Sequence, residues 1–112
     1  MKLRELIELY NLELKSTAES LDADVTRAYA GDILSDVMAH ATEGSLWITL
    51  QTHANIVPVA LLKSLAGIVL VNGGQPENDT LAKANNEKVP ILTTRLTAFE
   101  IIGRLYKLGI RA

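Results

Sequence analysis

Leu46-Trp47-Ile48-Thr49-Leu50, the segment Asn55 to Leu65, and Ile68-Val69-Leu70-Val71 running into Asn72-Gly73-Gly74 together decide the fold. The first run is apolar and β-favouring, the second has the length and spacing of a helix, and the third is apolar at every position. A strand without polar alternation is covered on both faces, which is the habit of parallel sheets packed between helices. Pro58 is compatible with the helix because it falls in the first turn. Gly67 reads as the stop of that helix, and Asn72-Gly73-Gly74-Gln75-Pro76 as a turn.

Outward from this core the alternation continues. A one-sided polar helix is expected from Glu77 to about Glu87, burying little beyond Leu81 and Ala84, then a strand over Pro90-Ile91-Leu92-Thr93. Thr97-Ala98-Phe99-Glu100 fits a capping box opening a last helix that ends at Gly109. Upstream, Leu3, Leu6, Ile7 and Tyr10 share one helical face, and Leu12-Glu13-Leu14-Lys15 alternates like a half-exposed edge strand. Ser16 to Asp24 reads as a loop, and Val25 to Ala30 as ambiguous, with a short strand one option. Asp32 suits the cap of a helix to about Ala41 that turns Ile33, Leu34, Val37 and Met38 inward and stops at Glu43-Gly44-Ser45. The expected fold is α/β, a small mostly parallel sheet of four to five strands with flanking helices built from βα repeats.

Length and composition bound the function. A chain of 112 residues argues for one domain over 1–112. With 48% hydrophobic and 21% charged residues it can build a continuous core and remain soluble. The absence of cysteine excludes disulfides, thiolate metal sites and cysteine nucleophiles. A pI near 5.6 and only five aromatic residues leave no footprint for nucleic acid. The most membrane-like stretch, Ala54 to Val71, contains Lys63 and Pro58, so no membrane span is expected, and the opening residues carry no apolar signal core. A cytoplasmic location follows as the expectation.

In open α/β sheets, ligands bind beyond the carboxyl ends of the strands. That rule selects three segments, Gln51-Thr52-His53, Asn72-Gly73-Gly74-Gln75 and Thr93-Thr94-Arg95, with Gln51, Thr52, His53, Asn72, Gly73, Gly74, Thr94 and Arg95 as the candidate ligand-binding residues. On one rim they supply an imidazole, a guanidinium, hydroxyls and amides, and a glycine pair that lets a ligand approach the backbone. Such a rim suits a phosphate or carboxylate; turn chemistry alone accounts for the same residue types. Neither G-x-x-x-x-G-K-[ST], nor G-x-G-x-x-G, nor a G-x-S-x-G elbow occurs. Asp32, Asp36 and His40 recur at i, i+4 and i+8, but cap and dipole roles explain them better than a metal does. No catalytic residue, metal site or cofactor is assigned.

The last helix carries apolar groups almost all round: Phe99, Ile101, Ile102, Leu105, Tyr106 and Leu108. A domain of this size can hardly wrap such a helix, so Phe99, Ile102 and Tyr106 are expected to form a dimer or partner surface. Gly103 in its interior costs about 1 kcal/mol relative to alanine, an expense that fits the close approach of another element.

Asp32 to Met38, Trp47 to His53, Val71 to Pro76, Pro90 to Thr94 and Thr97 to Glu100 together resemble the DRTGG domain family. More distantly they resemble the N-terminal domain of HPr serine kinase/phosphorylases. The resemblance implies a compact α/β regulatory domain, commonly appended to CBS-containing pyrophosphatases, phosphotransacetylases or kinases, with homo-oligomeric contacts. The Asp-Arg pair of the family name is absent here, while Gly73-Gly74 is retained. The combined expectation is a stand-alone, non-catalytic regulatory module acting as a homodimer on a partner protein. The alternative is a sensor of a nucleotide or other anionic ligand at the strand ends, and a further alternative is a small enzyme.

Overall fold

A computed structural model describes all 112 residues. The helices are α1 (Leu3–Leu9), α2 (Leu34–His40), α3 (Ile56–Leu62), α4 (Asn78–Glu87) and α5 (Ala98–Lys107). The strands are β1 (Glu13–Leu14), β2 (Ala28–Ala30), β3 (Leu46–Thr49), β4 (Gly67–Leu70) and β5 (Ile91–Thr93). They form one mixed sheet in the order β1-β5-β4-β3-β2. β2 to β5 are parallel, and β1 joins β5 antiparallel with Glu13 opposite Thr93. No helix is long and apolar enough to cross a membrane.

Every residue of β3, β4 and β5 is buried, so both sheet faces need cover. From β2 to β5 each crossover moves to the adjacent strand in the same direction, and crossovers of one hand then land on one face. That face packs Val37 of α2, Ile56, Val57 and Ala60 of α3, and Ala84 of α4 against Trp47, Ile68, Leu70 and Ile91. The opposite face falls to the two terminal helices. Leu3 and Leu6 of α1 and Ile101 and Leu105 of α5 pack there on Leu46, Ile48, Val69 and Leu92.

Several local expectations are revised. Gly67 does not stop α3; the helix ends at Leu62, and Gly67 opens β4. A Cβ there would lie 3.3 Å from the Pro90 carbonyl oxygen, so glycine permits the close approach of β4 to β5. In α4 the inward positions are Thr80 and Ala84, with Leu81 only half-buried. The Thr80 hydroxyl repays its burial by donating to the Thr52 carbonyl at 2.7 Å. The half of the α5 capping box that forms is the Thr97 hydroxyl accepting from Glu100 N–H at 3.3 Å.

Asp32 is the larger correction. Ile33 occupies the N-cap position of α2, without a side-chain cap bond, and is 69% exposed rather than inward. The Asp32 carboxylate instead reaches across to the end of β3, accepting from the Thr49 hydroxyl at 2.9 Å and from Leu50 N–H at 2.8 Å. A charged acceptor serving two donors holds a loop more firmly than one neutral bond does. Trp47 gives a second tie between the same segments, its indole N–H donating to the Gly31 carbonyl at 2.8 Å.

On the far side of the sheet, buried Ser16 joins the exit of β1 to the entry of β5. Its hydroxyl donates to the Val89 carbonyl and accepts from Ile91 N–H at 2.7 Å.

Replacing Asp32 by Ala strands the buried Thr49 hydroxyl and should cost about 1–3 kcal/mol, while Asp32→Asn, which retains an acceptor oxygen, should cost less. Thermal melts of the two variants compare them directly; equal losses would show that the acceptor oxygen is not what matters. Ser16→Ala should likewise lower stability by about 1–3 kcal/mol in urea unfolding, because two backbone groups lose their partner in the interior.

Candidate functional site

The carboxyl ends of β3, β4 and β5 lie on one rim, so the three selected segments are brought to the same end of the sheet. The rim is divided into two parts with different chemistry.

After β3, the side chains are engaged in holding the loop. The Gln51 side-chain amide donates to the Asp32 carbonyl at 2.9 Å, and Gln51 N–H to the Thr49 hydroxyl at 3.1 Å. The Thr52 carbonyl accepts from Glu77 N–H at 3.2 Å as well as from Thr80. His53 Nδ1 lies 2.8 Å from a Glu77 carboxylate oxygen, which also receives the Thr52 hydroxyl at 3.5 Å. Gln51, Thr52 and His53 thus tie the β3 exit to Asp32 on one side and to the start of α4 on the other.

The glycine pair is explained by a clasp between two loops. Asn72 N–H donates to the Leu96 carbonyl and Gly73 N–H to the Thr94 carbonyl, both at 2.9 Å, while Gly74 N–H donates to the Val71 carbonyl at 3.0 Å. Asn72 and Gly73 take left-handed φ values of 61° and 72°. A Cβ on Gly74 would lie 3.1 Å from the Val71 carbonyl oxygen. These amides already have acceptors, so they do not form a phosphate cradle; the glycines make the turn possible.

The second part of the rim is open. Thr94 keeps its hydroxyl on Leu96 N–H at 3.1 Å, but Arg95 is exposed and engages no carboxylate. Gly73, Thr94 and Arg95 border a polar cleft of about 430 Å³ whose far wall comes from Tyr10, Asn11 and Glu13. Gln75 and Thr93 complete its polar lining. Tyr10 donates to the Arg104 carbonyl at 3.1 Å; burial pushes its phenol pKa up, partly offset by the Arg104 charge. Glu13 is steadied by Lys15 Nζ at 2.9 Å. The α1–β1 wall was missed because antiparallel pairing of β1 with β5 brings it there. The alternation of Leu12 to Lys15 identifies an edge strand but not its neighbour.

Asp32, Asp36 and His40 do not form one group. Asp36 accepts from the Tyr29 phenol at 2.7 Å and faces His40 Nδ1 at 3.1 Å, while Asp32 is turned away to β3. The hydrogen bond to Asp36, with some desolvation and the carboxylate charge, pushes the Tyr29 pKa above its ordinary value. The Tyr29 and His40 rings stack with centroids 6.4 Å apart. These contacts lock β2 to α2.

The apolar residues of α5 divide likewise. Ile101 and Leu105 are buried, but Phe99 is 85% exposed, Tyr106 59% and Ile102 38%. Ile102 and Tyr106 also line an apolar groove of about 280 Å³ between α5 and the edge strand β2, with Ala28, Ala30 and Ile48 on its other wall. The Arg111 guanidinium lies over the Tyr106 ring, 3.6 Å from its centroid. Nothing lies within 4 Å of where a Cβ on Gly103 would stand.

A search of the curated proteins finds no match. Among solved structures, the fold is shared with the CBS and DRTGG domains of the regulatory region of Clostridium perfringens pyrophosphatase, determined with the activator diadenosine tetraphosphate. The TM-score is 0.74 at 14% sequence identity; the match covers 97% of this chain and 47% of that one, about half its length. At that identity the likeness speaks for the fold. The sequence itself matches the DRTGG domain family over residues 15–108, the greater part of the chain and inclusive of both the rim and α5. The chain belongs to the DRTGG domain family.

Proposed function

We propose that this chain is a non-catalytic, cytoplasmic regulatory module that acts on a partner protein as a homodimer formed through α5. The observation that carries this reading is the second apolar stripe of α5. Ile101 and Leu105 satisfy the core, leaving Phe99, Ile102 and Tyr106 at i, i+3 and i+7 as an outer stripe, of which Phe99 is nearly fully exposed while Ile102 and Tyr106 are partly covered within the chain. Family membership supports a regulatory role, as does the likeness to a domain from a pyrophosphatase's regulatory region.

A second copy is the occupant that the charge pattern favours. Glu100 lies in the first turn of α5 and Arg104 and Lys107 in the last, so an antiparallel pair sets each acidic half against a basic one. Gly103 sits at the middle of that crossing. Its bare backbone serves nothing inside the protomer and admits a second helix closely. Full burial of a large apolar side chain contributes about 1.5–3 kcal/mol, and association costs about 4–15 kcal/mol, so a dimer resting on three such residues per copy is weak.

A second reading is favoured by a separate observation, the open polar cleft beside the uncommitted Arg95. In that reading the module senses a small anionic ligand at the strand ends. The nucleotide activator named with the pyrophosphatase domains makes a regulatory ligand a reasonable comparison.

Sedimentation equilibrium across the micromolar range should find monomer and dimer in exchange. Phe99→Ser should weaken the dimer by about tenfold or more, a loss of about 1.4 kcal/mol, while the exposed position leaves monomer stability unchanged. A strict monomer at high concentration, or a dimer indifferent to Phe99→Ser, would contradict the dimer reading.

A further inference from the structure

We propose that the polar cleft between the α1–β1 turn and the β5–α5 loop binds a small phosphorylated polyol, of the sugar-phosphate class. This deepens the second reading above, strand-end ligand sensing, and rests on it; the dimer reading stands independently.

Three observations carry the assignment. Arg95 is exposed at the cleft and engages no carboxylate. A planar guanidinium with several donors matches the oxygens of a phosphate. Thr93 is only 4% exposed, yet its hydroxyl has no hydrogen-bond partner within the chain, and its residue lines the cleft. No buried side-chain polar atom sealed from solvent lacks a partner, so that hydroxyl reaches the cleft rather than a dry interior. At a purely structural strand position valine would fill the same volume without a polar atom to satisfy. Glu13, opposite Thr93 in the β1–β5 register and steadied by Lys15, adds a carboxylate that accepts from hydroxyl groups.

The remaining lining selects the class. Gln75 and Asn11 offer side-chain amides able both to donate and to accept, as a ring of hydroxyls requires. Of the nine lining residues only two, Tyr10 and Leu96, are hydrophobic, so the lining favours a ligand rich in polar groups over a large apolar one. At about 430 Å³ the cleft falls in the size range of small-ligand sites. The charged lining residues are Arg95 and Glu13, and because Lys15, outside the lining, pairs with Glu13, the Arg95 charge is left to an anionic group while Glu13 faces neutral hydroxyls.

Amide chemical-shift titration of the full chain tests this, with glucose 6-phosphate and ribose 5-phosphate as probes and glucose and inorganic phosphate as controls. At least one sugar phosphate should give saturable shifts centred on Gly73, Gln75, Thr94 and Arg95, more tightly than either control. Arg95→Ala should weaken that binding by about tenfold or more. Thr93→Val should weaken it several-fold while the dispersion of the spectrum reports an intact fold. Glu13→Gln should weaken the sugar phosphate and leave inorganic phosphate unaffected. Inorganic phosphate binding as tightly as either sugar phosphate would overturn the polyol assignment. Shifts centred on Thr52 and His53 would overturn the cleft while leaving strand-end sensing standing. No saturable shift with any probe would overturn both.

Discussion

The burial of β3 and β4 on both faces is the constraint from which the rest of the molecule follows. Eight consecutive-strand positions, Leu46–Thr49 and Gly67–Leu70, leave no residue facing water, so neither sheet face can remain bare. Crossovers of one hand place α2, α3 and α4 together, and the second face is left to the chain's two ends. Two terminal helices must therefore do the work that three do opposite. α5 buries Ile101 and Leu105 in that task and presents a further apolar stripe outward. The same topology gathers the exits of β3, β4 and β5 on one rim, where loops meet loops.

How those loops meet decides what each can do. The β3 exit is held by Asp32 and Glu77, and the β4 exit is clasped to the β5 exit through backbone hydrogen bonds. A group already engaged in a charge-assisted or backbone bond must break it to serve a ligand, at a cost comparable to the gain. Arg95 carries no such commitment. The division of the rim is thus a division between residues that hold the fold and residues left over from holding it. The leftover group lies beside β1, the strand that runs against the others and brings Glu13 into position.

The fold class was legible because it depends on patterns within single segments. The apolar run of Ile68 to Val71, the spacing of Leu3, Leu6 and Ile7, and the stop at Gly109 each declare an element locally, and the elements formed. What was not legible depended on partners distant in sequence. Asp32 looks like a helix cap because Asp is a good cap; its actual donors, Thr49 and Leu50, lie 17 and 18 residues away. Gly67 looks like a helix stop because glycine often is one, whereas the approach of Pro90 requires it. The helix from Glu77 is expected to bury Leu81 and Ala84, yet Thr80 takes the inward place of Leu81 because the Thr52 carbonyl gives its hydroxyl a buried partner. The rim residues were placed at the correct end of the sheet by the strand-end rule. Which of them remain unengaged became visible only through their hydrogen bonds, and Tyr10, Asn11 and Glu13 only through the pairing of β1.

In the proposed dimer the outer stripe of α5 meets that of a second copy crossing at Gly103. Because the chain contains no cysteine, a single introduced thiol reports on that crossing without interference. Disulfides form only when the two Cα atoms come within about 4.4–6.8 Å. Under mild oxidation Gly103→Cys should cross-link rapidly and specifically into a dimer, whereas Leu62→Cys, also exposed but on the opposite layer, should not. Equal cross-linking of the two variants, or none with Gly103→Cys, would contradict the α5 dimer.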